Sequence, residues 1–424
     1  MDLLLTDGMV YSEKGFLKTN VFIKGGIVSD LMSKNSFSKG CMSLSLNNLY
    51  IIPGFVDVHC HLREPGFSYK ETIKSGTAAA AKAGYTTVCN MPNTNPPADS
   101  PENLKIQTAI IERDALIKVY PLASITKGQR GEGELVDFKA LKDKVIAFSD
   151  DGFGIQSEEL MEKAMTEAAK YGCIIAAHCE DNSLLNGGYI HDGSYAKKTG
   201  HKGICSASEY KQVERDLSLA KKIGCRYHIC HVSTKESVEL IRNAKAEGVS
   251  VTAETAPHYL VFCEDDLKDE GRYKMNPPLR SKADKEALIE GITDGTIDIV
   301  ATDHAPHSTE EKSKGLSGSL MGVVGFETAF PALYTNLVKK EIISLEKLIK
   351  LMCINPRKLF RIGGGLKPGE KADIAVLDLD SHYIIDSETF VSMGKSSPFD
   401  RTRVNGKNIM TIYNGRIVWR EKEK

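Results

Sequence analysis

Four histidines and two aspartates stand at the ends of apolar runs in this 424-residue chain. His59 and His61 follow the run Leu49-Tyr50-Ile51-Ile52-Pro53-Gly54-Phe55-Val56, which reads as a buried strand. Side chains alternate along a strand, so the two imidazoles point to one side and Cys60 to the other, where it reads as packing. Asp151 ends Phe148-Ser149-Asp150, and His178 ends Cys173-Ile174-Ile175-Ala176-Ala177. His231 ends Tyr227-His228-Ile229-Cys230, and Asp303 ends Ile297-Asp298-Ile299-Val300-Ala301-Thr302. Four imidazoles and two carboxylates suit two zinc-like ions, each keeping an open or shared position for solvent. Asp151, with two oxygens, can bridge both ions, and so can a water. A water so held exists as hydroxide near neutral pH and is a nucleophile, while the ions polarise the carbonyl under attack. Asp303 is then placed to take a proton from that hydroxide and return it to a leaving nitrogen. This is chemistry for hydrolysis or formation of a C–N bond at an amide carbonyl. Arg63, two residues past His61, adds a planar cationic fork matched to a carboxylate.

The remaining candidates have blander readings. His228 lies three residues before His231 and by alternation faces away, as a core or helix-facing histidine. His258, after Ala256-Pro257, reads as a loop histidine that hydrogen-bonds rather than ligates. His304 directly follows Asp303 and reads as support behind a ligand. His191, His201 and His382 lie in polar stretches and read as solvated. Asp150 competes with Asp151, which is preferred because Gly152 allows close backbone approach.

These residues need a frame that brings strand ends together. From residue 51 onward, short apolar stretches at 51–57, 85–89, 117–122, 145–149, 173–178, 225–231, 249–254 and 297–302 read as strands. Helical patterns fall between them at 70–83, 102–114, 134–142, 157–171, 206–223, 235–247 and 282–293, with more helix after 326. Eight strands alternating with helices over roughly 300 residues predict a (β/α)₈ barrel, whose reactive groups gather at the C-terminal strand ends. A doubly wound open sheet shares the alternation but would not bring all those ends around one centre. Residues 1–52 read as short strands, among them Val21-Phe22-Ile23-Lys24 and Ile27-Val28, with a loop at Ser33-Lys34-Asn35-Ser36. Residues 359–424 return to strands, with Asn414-Gly415 as a hairpin turn. The expectation is a barrel over 53–358, flanked by a small β-sandwich domain built from both terminal segments.

Bulk properties exclude other classes. Fifty-five basic and 56 acidic side chains leave a net charge of −1, with no basic stripe for nucleic acid or an anionic membrane. Ten cysteines are too dilute for a disulfide framework and sit mostly in apolar runs, as at Cys173, Cys225, Cys230 and Cys353. The N-terminus has neither a cationic start nor a sustained apolar core, and no run reaches membrane-spanning length. A cytoplasmic, soluble protein is expected.

As a set, the motifs Asp57 to Gly66, Asn90-Met91-Pro92-Asn93-Thr94, Phe148 to Gly152, Ala177-His178-Cys179-Glu180, His231-Val232-Ser233 and Thr302 to His307 resemble the amidohydrolase superfamily. Within it they resemble the bacterial-type dihydroorotases that use an aspartate bridge, over nearly the whole chain. Hydantoinases and allantoinases are similar at several segments but bridge their metals with a carboxylated lysine at the fourth strand end, where this chain has no lysine. The resemblance implies reversible cyclisation of N-carbamoyl-L-aspartate to L-dihydroorotate in pyrimidine synthesis, with two zinc ions per subunit. His59, His61 and Asp303 would hold one zinc, and His178 and His231 the other, with Asp151 bridging. Arg63, Asn93 and His307 would hold the substrate carboxylate, and His61 would touch substrate as well as metal. Asn276 and the backbone at Met321-Gly322 would bond the ring; the family usually has Phe before that glycine. The stretch 308–320 is expected to be mobile and to cover the site. A homodimer and association with other pyrimidine-pathway enzymes are compatible with the resemblance. The competing readings are a hydantoinase-like or allantoinase-like enzyme, and a non-catalytic scaffold that would have lost ligands.

Overall fold

The computed structural model describes residues 2–32 and 41–422, so the loop expected at 33–36 lies outside the described residues. The N-terminal strands are β1 (Leu3–Ser12), β2 (Gly15–Lys24), β3 (Ile27–Met32), β4 (Met42–Ser45) and β5 (Tyr50–Pro53). Then come β6 (Phe55–Cys60), β7 (Tyr85–Asn90), β8 (Lys118–Pro121), β9 (Ile174–Ala177), β10 (Ile190–His191), β11 (Gly203–Ile204), β12 (Arg226–Ile229), β13 (Val251–Thr255) and β14 (Ile299–Val300). The last are β15 (Ile374–Ile384), β16 (Arg403–Tyr413) and β17 (Arg416–Arg420).

The two ends of the chain share one sheet, ordered β17-β16-β15-β5-β1-β2-β3, with β4 on β1. Its central seam pairs β5 antiparallel to β15, Pro53 opposite Ile374 and Tyr50 opposite Leu377. The expected Asn414-Gly415 turn joins β16 to β17, both residues at positive φ as a two-residue hairpin demands. A Cβ on Gly415 would fall 2.4 Å from Gly26 Cα, so this turn packs directly on the turn between β2 and β3.

The single strand read over 51–57 divides at Gly54. β5 joins the terminal sheet, whereas β6 begins a separate parallel ladder. Gly54 is required there because a Cβ would come 2.3 Å from the Thr86 side chain. The parallel ladders run β6-β7-β8 and β14-β13-β12-β9. The stretch 145–149 forms no named strand, but Phe148 makes parallel bridges to Ala123 on one side and Ile175 on the other. A further parallel bridge joins Cys60 to His304. Beside it the Asp57 carboxylate accepts from the Thr302 amide at 3.1 Å and from the Thr302 hydroxyl, so a side chain completes what backbone leaves open.

Both faces of these ladders are buried. Val56, Val58, Ala147, Ile174, Ala176 and Ile299 pack together with Phe360 and Ile362 on one side. Phe55, Ile175, Tyr227 and Ala253 face the helices on the other. The helices follow from local signals. Glu158–Tyr171 starts at Ser157, whose hydroxyl accepts from Leu160 N, carries Glu158 and Glu159 in its first turn, and stops at left-handed Gly172. Its buried residues, Met161, Ala164, Met165 and Ala168, form one face at helical spacing. The helix expected over 134–142 shortens to Phe138–Leu141 behind the Asp137 cap. Among the described residues, no helix is long and apolar enough to cross a membrane.

The stretch 308–320, expected to be mobile, is packed in place. Leu316 is fully buried, and Lys312 Nζ donates to the carbonyls of Lys274 at 2.9 Å and Leu320 at 2.7 Å.

Candidate metal centre

β6 carries the first histidine pair. Its register against β7 slips between Asp57 and Cys60, and such an extra residue re-aims the side chains that follow. His59 is completely buried, and its Nδ1 lies 2.6 Å from Glu254 Oε1 at the end of β13. Glu254 Oε2 lies 3.1 Å from His228 Nε2, whose Nδ1 in turn meets Thr252 Oγ1 at 2.7 Å. His228 is buried, as expected of a core histidine, but it does not face away: it reaches the carboxylate that holds His59. The alternation count from His231 fails because His231 adopts φ 35°, outside strand geometry.

Asp150 and Asp151 separate by role. Asp150 accepts from the Ile125 amide at 2.7 Å, the Gly131 amide at 3.0 Å and the Thr126 hydroxyl, which uses it up in shaping the neighbouring turn. Asp151 turns the other way, toward all four imidazoles. Its oxygens lie 3.4 Å from His59 Nε2, 3.5 Å from His61 Nε2, 3.6 Å from His178 Nδ1 and 3.3 Å from His231 Nε2. Two donor groups converge on this one carboxylate, His59 and His61 with Asp151, and His178 and His231 with Asp151. Asp303 Oδ1 adds contacts of 3.0 Å to His61 Nε2 and 3.6 Å to His59 Nε2.

The outward nitrogens are held by acceptors. His61 Nδ1 meets Asn93 Oδ1 at 2.8 Å, and His178 Nε2 lies 3.4 Å from Glu180 Oε2. With His59 on Glu254, three imidazoles donate outward and keep a lone pair facing the Asp151 carboxylate. His59 Nε2 is buried without a hydrogen-bond partner. Electrostatics show how strongly the cluster attracts positive charge, whether a proton on an imidazole or a cation on its lone pair. Burial disfavours charge on Asp151, yet His59, His178 and His231 hold it well below the usual carboxylate range. Burial likewise opposes a charged His59, but Asp151, Glu254 and Asp303 raise it well above its ordinary value. Buried carboxylates this close together call for positive charge, and a nitrogen–oxygen donor set with an orphaned imidazole lone pair fits a divalent cation.

A cavity of about 230 Å³ opens on this cluster. Every residue expected to contact substrate lines it: His61, Arg63, Asn93, Asn276, His307, Met321 and Gly322. Arg63 sits at φ 62° with Nε donating to the Pro306 carbonyl at 3.0 Å, and burial lowers its guanidinium only to about 10, so it remains cationic. Asp303 too adopts positive φ, 47°. Left-handed backbone at Arg63, His231 and Asp303 is strain concentrated at the site. Asn276 Nδ2 donates to Glu180 at 3.2 Å, while its Oδ1 is buried with no donor to meet it.

Other candidates lie elsewhere. The His304 ring stacks on Phe326 at 4.0 Å and accepts from the Gly325 amide; its carbonyl, not its ring, supports His61 by accepting from His61 N at 2.8 Å. His258, expected to hydrogen-bond, is buried with Nε2 unpartnered, and burial drives it down to about 4. His191 is buried rather than solvated, 3.5 Å from Arg280. Cys60 is buried against the Cys89 carbonyl, as expected of packing. Sequence reasoning passed over Glu254, although an acid ending the β-branched run of β13 was a readable signal. It also passed over Glu209, which accepts from the amides of Ser233 and Thr234 and braces the turn after His231.

Comparison with known proteins gives a consistent result. A family model described as Dihydro-orotase-like matches residues 49–237. A curated protein from Geobacillus thermodenitrificans named Dihydroorotase is 48% identical over 424 residues, covering 99% of each chain. One of the same name from Bacillus cytotoxicus is 47% identical over 426 residues, covering 100% of this chain and 99% of its own. Among solved structures, the L-hydantoinase (dihydropyrimidinase) of Arthrobacter aurescens superposes with a TM-score of 0.89 at 27% identity, covering 100% of this chain and 97% of that one. The dihydropyrimidinase of Brevibacillus agri superposes with a TM-score of 0.86 at 21% identity, covering 100% and 96%, which is a likeness of fold alone.

Proposed function

This chain belongs to the dihydroorotase family, and from that premise we propose that the six-residue cluster carries out reversible cyclisation of N-carbamoyl-L-aspartate to L-dihydroorotate, a step of pyrimidine biosynthesis. The observation that carries the reading is one carboxylate, Asp151, faced by four imidazole nitrogens at 3.3 to 3.6 Å.

His59, His61 and Asp303 would hold one zinc ion, and His178 and His231 a second, with Asp151 common to both. When bound, such ions acidify water and polarise a carbonyl oxygen. The protein's own groups supply the rest. Ring opening adds the oxygen of water to the ring carbonyl, breaks the C–N bond and moves one proton, by way of Asp303, to the departing nitrogen. Burial works against an ionised Asp303, but His59 and His61 lower it below the ordinary value, so it starts as the base. Arg63, Asn93 and His307 take the substrate carboxylate. With its Oδ1 bound to His61, Asn93 keeps its amide hydrogens for that task. The unpartnered Asn276 Oδ1 accepts a ring N–H, and the backbone at Met321-Gly322 takes the other ring edge.

The frame is an eight-stranded parallel barrel over 53–358, a reading supported by the bridges through Phe148 and between Cys60 and His304. The segments 1–52 and 359–424 form a flanking β domain, a reading supported by the one sheet that joins the strands of both termini. All ten cysteines are free thiols, which suits a cytoplasmic enzyme.

A test is side-by-side turnover of L-dihydroorotate, hydantoin and allantoin by the purified, zinc-loaded protein. Turnover confined to dihydroorotate is expected. Faster turnover of a neutral ring would overturn the assignment.

A further inference from the structure

The mechanism above leaves a buried cation beside the substrate cavity, Lys70, without a role. Lys70 is only 9% exposed, on the turn that leads from Arg63 to the helix Ile73–Ala83. Its Nζ lies 3.1 Å from His307 Nδ1 and 3.0 Å from Glu311 Oε1. Glu311 is itself fixed, its Oε2 accepting from the Ser308 amide at 3.0 Å and its Oε1 from the Tyr69 hydroxyl at 3.1 Å.

An ammonium group has donors and no acceptor, so His307 Nδ1 must receive a hydrogen from Lys70. On the opposite side of the ring, His307 Nε2 lies 2.7 Å from the Met321 carbonyl oxygen, which can only accept. Nε2 therefore carries the hydrogen. The two contacts demand one and the same form of the ring, neutral with its proton on Nε2. An imidazolium would press a second N–H against Nζ at 3.1 Å. The other neutral tautomer would find Glu311 Oε2 at 3.4 Å from Nδ1, but would turn the Nε2 lone pair on the Met321 carbonyl. Lys70 is thus the group that decides between the two tautomers on the Nδ1 side. Arg63 Nη2, also a donor, lies 3.4 Å from Nε2 and both side chains line the cavity, so the Nε2–H form leaves two donors converging on a place that an anion's oxygen would fill.

We propose that Lys70 is a positioning residue for acidic substrates: it holds His307 as a neutral ring whose single Nε2–H, resting on the Met321 carbonyl, is shared with the carboxylate that the Arg63 fork receives. The proposal rests on the dihydroorotase reading and deepens it, since this donor separates an acidic ring from the neutral rings otherwise suited to the same centre. Lys70 does not touch substrate; without it the ring is free to carry its proton on Nδ1 and to present a lone pair to the incoming carboxylate.

The test combines kinetics with nitrogen NMR of the full-length, zinc-loaded protein carrying ¹⁵N-labelled histidine, with His307→Gln used to identify the His307 signals. Wild-type protein at neutral pH is expected to show the Nε2–H tautomer at His307. In Lys70→Met the signal should move toward Nδ1–H. The KM for L-dihydroorotate should rise about tenfold or more, with kcat within about threefold, the size of losing one charge-directed hydrogen bond. Lys70→Arg, which keeps a donor and a cation, should restore the Nε2–H signal and most of the affinity. A normal KM in Lys70→Met, with wild-type active on dihydroorotate, removes the proposal and leaves the functional reading standing. An inactive wild-type protein removes both. If Lys70→Met does not fold, the wild-type spectrum still decides, because an imidazolium or an Nδ1–H ring at His307 overturns the argument.

Discussion

Glu254 touches no substrate, yet replacing it should weaken the metal centre by a predictable amount. Its two oxygens divide between His59 Nδ1 at 2.6 Å and His228 Nε2 at 3.1 Å, and both histidines are buried. Burial works against its charge, but His59 and His228 pull the carboxyl down to about 2, so it is an anion throughout the working range. Glu254→Gln preserves size and lets the amide oxygen still accept from His59, with the amide nitrogen facing His228. What is lost is charge on the acceptor. A hydrogen bond to a charged group contributes about 1.5–3 kcal/mol and a neutral one about 0.5–1.5 kcal/mol, so the difference is about 1–2 kcal/mol. That corresponds to roughly five- to thirtyfold, overlapping the tenfold to hundredfold usual when the group behind a ligating histidine is changed. Activity of Glu254→Gln and wild-type protein would be titrated against buffered free zinc. The variant should need roughly tenfold more free zinc for half-maximal activity, with a circular dichroism spectrum like that of wild type. Superimposable zinc titrations would refute the idea that Glu254 orients His59 toward a cation.

Two further outcomes follow from other parts of the structure. Asp303→Asn should lower kcat by about 10²–10⁴ with the fold intact, since the amide can still lie near His61 but cannot carry a proton; near-normal turnover would take Asp303 out of proton transfer. Burial, with help from the nearby Lys274 charge, lowers Lys312 from 10.5 to about 7, so between these pH values the unfolded chain binds more protons at this group than the folded one. Its contribution to stability should therefore grow as pH rises from about 7 to 10.5 and be lost as pH falls back. Denaturant midpoints of wild type and Lys312→Met should diverge across that window, and parallel curves would show that Lys312 does not titrate there.

The legible parts of the site were those where residue type and strand position carry the same message. His59, His61, Asp151, His178, His231 and Asp303 end apolar runs, and the fold brings all six together. Departures arose where backbone left regular geometry. The register slip in β6 and the positive φ of His231 defeat counting by twos, which is how His228 was placed on the wrong side. The break at Gly54 is a clash with Thr86, a contact between elements that no local pattern encodes. The same holds for the stretch 308–320, whose polar composition reads as mobile while the buried stems of Lys312 and Leu316 anchor it. Lys70 opens the helical pattern read at 70–83, and nothing in the polar run Tyr69-Lys70-Glu71 signals that tertiary structure places His307 against it.

On the reading proposed above, a metal centre built on Asp151 opens and closes the dihydroorotate ring. The most direct test is ring opening of L-dihydroorotate measured before metal removal, after exhaustive chelation, and after zinc is restored. Activity should disappear with the metal and return with it, at two zinc ions per chain. Undiminished turnover by protein shown to be metal-free would contradict that reading.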